Sequence, residues 1–314
     1  MTRTARQKTN PELGRDVLYT YRYLRAGMIA LLLMLLFAVA YEGIVDGGCF
    51  LGSISAYYFT PARTVFVGAL FALGAMLIVH KARSAEEDVL LDFSGFMAFV
   101  VAMVPTVPDA ACGPTPTLST LEVANAVRNN IWALIVVAVT AAIVRYVLAR
   151  RGELVTSATP GSRIASIVCG IVLVVELGFF LWKRDSFIHL SHGIAAATMV
   201  AGVIAVMVLN ALYQPSTERG LKFRRIYYTL AVLLGVALAG TVALHLVIEG
   251  FAHIIIVAEV VIILLFGAFW VVQTVEVWPT ELDDIRDQVQ SVEGGAAHPG
   301  SPSPRGPSPT DYSG

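Results

Sequence analysis

Residues 251–275 read FAHIIIVAEVVIILLFGAFWVVQTV. At about 1.5 Å of rise per helical residue, a stretch of this length crosses the roughly 30 Å hydrocarbon core of a bilayer. One acid, Glu259, interrupts it about two turns in from the start. A carboxylate inside a spanning helix is expensive unless it is paired, protonated or placed in a wet cavity. The stretch therefore predicts a membrane helix with Glu259 turned toward a polar interior.

Seven further apolar runs precede it, over residues 26–41, 64–79, 89–107, 131–149, 164–182, 188–212 and 226–248. Across the 314 residues 56% are apolar and only 14% charged, whereas soluble domains carry about 25% charged residues. The sequence predicts an all-α polytopic transmembrane bundle of about eight helices. Residues 1–20 form a basic cytoplasmic tail, 21–280 the membrane domain, and 281–314 a cytoplasmic segment. Its Pro, Gly and Ser content predicts disorder from about residue 293. No glycine-rich nucleotide loop, soluble catalytic domain or basic nucleic-acid surface is present, so a primary pump and a nucleic-acid partner are both excluded.

Lysines and arginines set the orientation. With a cytoplasmic N-terminus and eight helices, all 22 basic residues except Arg63, Arg128, Lys183 and Arg184 fall on the cytoplasmic side, and both termini lie there. Trp132 and Trp182 then mark the outer boundary, Trp270 and Trp278 the inner one. The location that follows is a plasma membrane, in bacteria the inner membrane, with membrane lipids as neighbours. Cys49 and Cys112 fall in the first two outer loops, where a disulfide or a metal site are both open readings. Cys169 lies inside the fifth helix as packing material.

Local signals mark helix limits. Thr60 is read as a cap with Pro61 at the first helical position, and Ser84 with Glu87 and Ser119 with Glu122 have capping-box spacing. Pro105 and Pro108 end the third helix. Gly68 with Ala72, Gly170, and Gly235 with Gly240 are candidates for close helix approach.

Sorting the ionisable groups by depth gives the candidate site. His189, His192, His245 and His253 all map to the outer side, joined by Tyr57, Tyr58, Arg63, Asp109, Glu176 and Glu259. An outward-facing polar cavity accounts for them, and Arg63 would there meet Asp109, Glu176, Glu249 or an anionic headgroup. Three chemistries suit this set. The four histidines, with Asp109 or Glu249, have the donor types of a zinc hydrolase, although no compact motif such as HExxH occurs. Imidazoles with Glu176 and Glu259 suit a proton relay coupled to movement of a small molecule. A cavity that simply holds lipid is the third.

The stretches SISAYYFTPARTVFVGALFALGAMLIVHK, SGFMAFVVAMVPT and AEVVIILLFGAFWVVQTVE resemble a family of bacterial polytopic membrane proteins, which implies a shared fold over about half of the membrane domain. The chain is also faintly similar to the ceramidase-like superfamily of membrane hydrolases, in which a serine, an aspartate and three histidines form a zinc site. That resemblance implies Ser53 or Ser55, Asp92 or Asp109, and the outer histidines as equivalents. The chain departs from the pattern where Tyr57 stands in place of a histidine, where His189 and His192 are three rather than four apart, and where Asp92 lies at the inner end.

Overall fold

The computed structural model describes residues 11–106, 112, 120–151, 159–247 and 252–296, with side chains for 19–106, 112, 122–151, 159–184, 186–244 and 254–276. The described residues form α1 (Pro11–Val45), a 3₁₀ segment (Ile54–Phe59), α2 (Arg63–Val79), α3 (Ala85–Met103), α4 (Thr120–Arg150), α5 (Pro160–Trp182), α6 (Arg184–Leu212), α7 (Glu218–Val247) and α8 (Ala252–Ala296). To within a few residues, each apolar run occupies one α-helix. Six helices are long and apolar enough to cross a membrane, namely those of residues 19–45, 122–150, 160–182, 186–212, 218–244 and 254–276. The other two depart for separate reasons: α2 has only 17 residues, and α3 opens on Glu86, Glu87 and Asp88. The chain is a multi-pass α-helical membrane protein. Its exterior agrees, since Val136, Val137 and Ile143 of α4 and Ile164, Ile167 and Val174 of α5 are all exposed.

The chain divides into two compact units, Tyr23–Gln273, and Met1–Arg22 together with Thr274–Gly314. In the second, α8 continues as helix to Ala296; the rest of the tail, residues 297–314, lies outside the described residues, as do residues 1–10.

Within Tyr23–Gln273, α3 is the hub, packing on α2, α4, α5 and α6. Its contact with α2 runs backbone to backbone at Gly74 and Gly95: a Cβ on Gly74 would sit 2.6 Å from the Gly95 carbonyl oxygen, and one on Gly95 2.5 Å from that of Gly74. The glycines singled out from the sequence have open space instead, since a Cβ on Gly68, Gly170, Gly235 or Gly240 meets nothing within 4 Å. Two apolar clusters stack along the helices. One, with Tyr57, Phe66, Met97 and Phe180, lies toward the 3₁₀ segment. The other, with Met28, Leu91, Tyr227 and Trp270, lies toward the opposite end.

Caps follow the sequence in part. Ser84 Oγ accepts the Glu87 N–H at 3.2 Å, but the Glu87 side chain does not close the box, because it is buried and accepts from Asn210 Nδ2 on α6 at 3.2 Å. At α2 the helix begins at Arg63, two residues beyond Pro61. Thr60 still caps, but it caps the turn: its Oγ1 accepts the Ala62 N–H at 3.2 Å and donates to Tyr57 O at 2.9 Å. The 3₁₀ segment feeds directly into that turn, which delays the α-helix. Ser119 lies outside the described residues.

Candidate functional site: an apolar cavity with one polar end

The site is built on the link between α1 and α2. Gly47 and Gly48, at φ 73° and 85°, turn the chain out of α1 in a conformation that suits residues without a Cβ. The Cys49–Cys112 disulfide then ties this link to the one following α3, settling the two open readings of these cysteines in favour of a bond. Ser53 starts the 3₁₀ segment with extended backbone, its Oγ accepting the Ala56 N–H at 3.1 Å. Five of the six residues that follow are buried, and the Tyr57 hydroxyl accepts the Leu51 N–H at 3.4 Å. A short tight helix in an apolar setting leaves polar groups unmatched internally, and two of them reach outward.

Ser55 Oγ lies 2.7 Å from His192 Nε2 on α6. The other ring nitrogen, Nδ1, lies 2.5 Å from the Val104 carbonyl oxygen at the end of α3. A carbonyl can only accept, so in the neutral ring Nδ1–H donates to Val104 and Nε2 accepts the Ser55 O–H. Next to Ser55, the Ile54 N–H donates to Glu259 Oε2 on α8 at 2.6 Å. Two helices, α6 and α8, thus converge on two adjacent residues of one short segment, and the end of α3 holds the α6 histidine in place.

Ser55, His192 and Glu259 line a cavity of about 600 Å³. Most of the wall is aliphatic or aromatic, with Leu32 of α1, Leu73 of α2, Val101 of α3, Val203 of α6, Leu238 of α7 and Phe266 of α8. Its polar members are Ser53, Ser55, Thr106, His189, His192, Thr241 and Glu259. They come from before α2, after α3, early α6, late α7 and early α8, which in an alternating bundle is a single end. The lining on α6 extends from His189 to Val203, about 20 Å of helix at about 1.5 Å per residue. His189, Leu190 and Gly193 line the cavity and are also exposed, so it reaches the surface beside the first turns of α6.

Of the residues drawn from the sequence, the cavity brings together His189, His192 and Glu259. Tyr57 and Tyr58 are buried in the packing of the 3₁₀ segment and do not line it. Arg63 is exposed; its Nη2 donates to the Tyr58 hydroxyl at 2.8 Å, and its guanidinium carbon stands 4.3 Å from that ring's centre. An aromatic face is thus its described partner. Glu176 is buried on α5 beside Ser191 of α6, away from the cavity lining. Asp109 and Glu249 lie outside the described residues, as do the side chains of His245 and His253, whose backbones fall in the last turn of α7 and the first of α8.

The sequence reading gave Thr106 and Thr241 no role and left Ser53 and Ser55 undivided; a hydroxyl residue in an apolar run carries too weak a signal of depth or direction. Among the described residues, no three His, Cys, Asp or Glu side chains are placed to hold a metal ion. What the geometry offers is a hydroxyl hydrogen-bonded to an oriented imidazole, a nearby carboxylate, and a long apolar chamber.

Comparison of the chain with family models, with curated proteins and with solved structures finds no match.

Proposed function

We propose that this protein binds an amphiphile of lipid type, its tail along the apolar wall and its head among Ser55, His192 and Glu259. The observation that carries this reading is the cavity itself, within the roughly 300–1,000 Å³ of small-molecule sites, elongated, and with its polar lining among the described residues gathered at one end. An opening beside α6 suits a ligand arriving from the bilayer. The polar end is assigned to the extracytoplasmic side, supported by the disulfide beside it, a bond of oxidising compartments, and by the basic residues concentrated toward the other end. Both termini are then cytoplasmic, in a plasma membrane.

Gly193 offers the test. It lines the cavity, and a Cβ there would meet nothing within 4 Å. A Gly193→Leu chain should fold normally, because glycine is the poorer helix former by about 1 kcal/mol. It should retain several-fold less lipid through purification, counted by native mass spectrometry. Unchanged retention would dismiss the cavity as the binding place.

The Ser55–His192 hydrogen bond favours a second reading, cleavage of a lipid ester or amide, since a nucleophile held by an oriented base is the arrangement such chemistry requires. A long-chain fluorophosphonate should then label Ser55; the absence of label would remove this reading. A zinc-dependent version would have to recruit His245 or His253, and stoichiometric metal in the purified chain would mark it.

A further inference from the structure

Among the described residues, Glu259 is the only Asp, Glu, Lys or Arg in the wall of the cavity. Its carboxylate is committed on one side only: Oε2 accepts the Ile54 N–H at 2.6 Å, and no protein hydrogen bond to Oε1 is found among the described residues. The rest of the polar end consists of hydroxyls and imidazoles. Ser55, His192 and Thr241 already spend hydrogen-bonding capacity within the protein, Thr241 Oγ1 donating to Ala237 O at 2.8 Å. Arg63, on the α2 side of the same link as Ser55, is turned onto Tyr58 at the surface. A carboxylate in an apolar cavity wall with no basic partner among the described residues is costly, and a cation that completes it recovers that cost in a chamber where water screens little.

We infer that the ligand is a long-chain aliphatic amine or a lipid with an amine-bearing head, its ammonium donating to Glu259 Oε1 while its chain follows α6 toward Val203. The inference rests on the binding reading above and adds charge selection to it. A fatty acid of equal length would set a second negative charge against Glu259, and an alcohol would forgo the ionic contact. His189, at the mouth, is exposed and compatible with either head.

The test presents the full-length chain, in detergent, with hexadecylamine, hexadecanol and hexadecanoic acid at equal concentration, and counts bound molecules by native mass spectrometry. The amine should be retained about tenfold or more over the alcohol, the acid least, because only the ammonium makes a charge-assisted hydrogen bond to the carboxylate. In Glu259→Gln the amine should fall to the level of the alcohol. Equal retention of amine and alcohol by the unmodified chain, or an amine preference that survives Glu259→Gln, would overturn the inference and leave lipid binding standing. Retention of none of the three would overturn both. The comparison on the unmodified chain decides the matter even if the variant fails to fold.

Discussion

His80 and His192 are both buried, and each meets burial differently. His192 has both ring nitrogens engaged, on Ser55 and Val104. His80, just past α2, packs edge-on to Trp270 at 5.0 Å. Burial first, and the Arg25 guanidinium second, push its pKa down to about 4, against an opposing pull from Asp88. Since an unfolded histidine titrates near 6.5, the unfolded chain takes up the proton first. The neutral ring's contribution is therefore intact above about pH 6.5 and is lost as pH falls toward 4, about 3 kcal/mol in all. Melting in detergent between pH 7 and 4 should show an acid-side loss that His80→Leu reduces; identical slopes would contradict the assignment. The neighbouring question, which serine meets a histidine, was not legible in SISAYY. A 3₁₀ segment does not follow the helical period, so either Ser53 or Ser55 fitted. The three-residue spacing of His189 and His192 did place both on the cavity side, because they stand on a regular helix. Glu176 and Glu259 looked alike as lone acids in apolar runs. Only the neighbouring helices separate them, one beside Ser191, the other at the cavity.

Among the elements, the helices were readable and their contacts were not. Each of the eight apolar runs holds one described α-helix, six of them long and apolar enough to cross a membrane, because hydrophobicity is a property of each run alone. Close approach depends on which face meets which neighbour, and four glycines chosen for spacing proved to face open space. The intimate contact is Gly74 with Gly95. Gly74→Ala should therefore force α2 and α3 apart and cost about 1–3 kcal/mol. Gly68→Ala, on the same helix with nothing nearby, should be neutral or slightly stabilising, by up to about 1 kcal/mol. Thermal unfolding of the two variants side by side checks this, and equal effects would deny the backbone contact. The delayed start of α2 has the same origin: Thr60 and Pro61 were sound cap signals, but the preceding 3₁₀ segment claimed Thr60 for its own turn.

For the whole molecule, the disulfide links two positions 63 residues apart and holds the α1–α2 link, with Ser55 on it, to the link after α3. Restricting a loop of that size in the unfolded chain is worth about 2–4 kcal/mol. Reduction, or Cys49→Ser, should lower the melting temperature and weaken amphiphile retention together; a melting temperature indifferent to reduction would mean that the bond constrains nothing. The hydrogen bond from Ile54 to Glu259 reaches much further, joining residues 205 apart in the chain. A ribosome delivers Ile54 long before it delivers Glu259. Until α8 is made, the Ile54 amide lacks this acceptor and the chamber lacks one wall. The chamber is thus among the last things biogenesis completes, and a nascent chain arrested before α8 would lack the wall that carries Glu259.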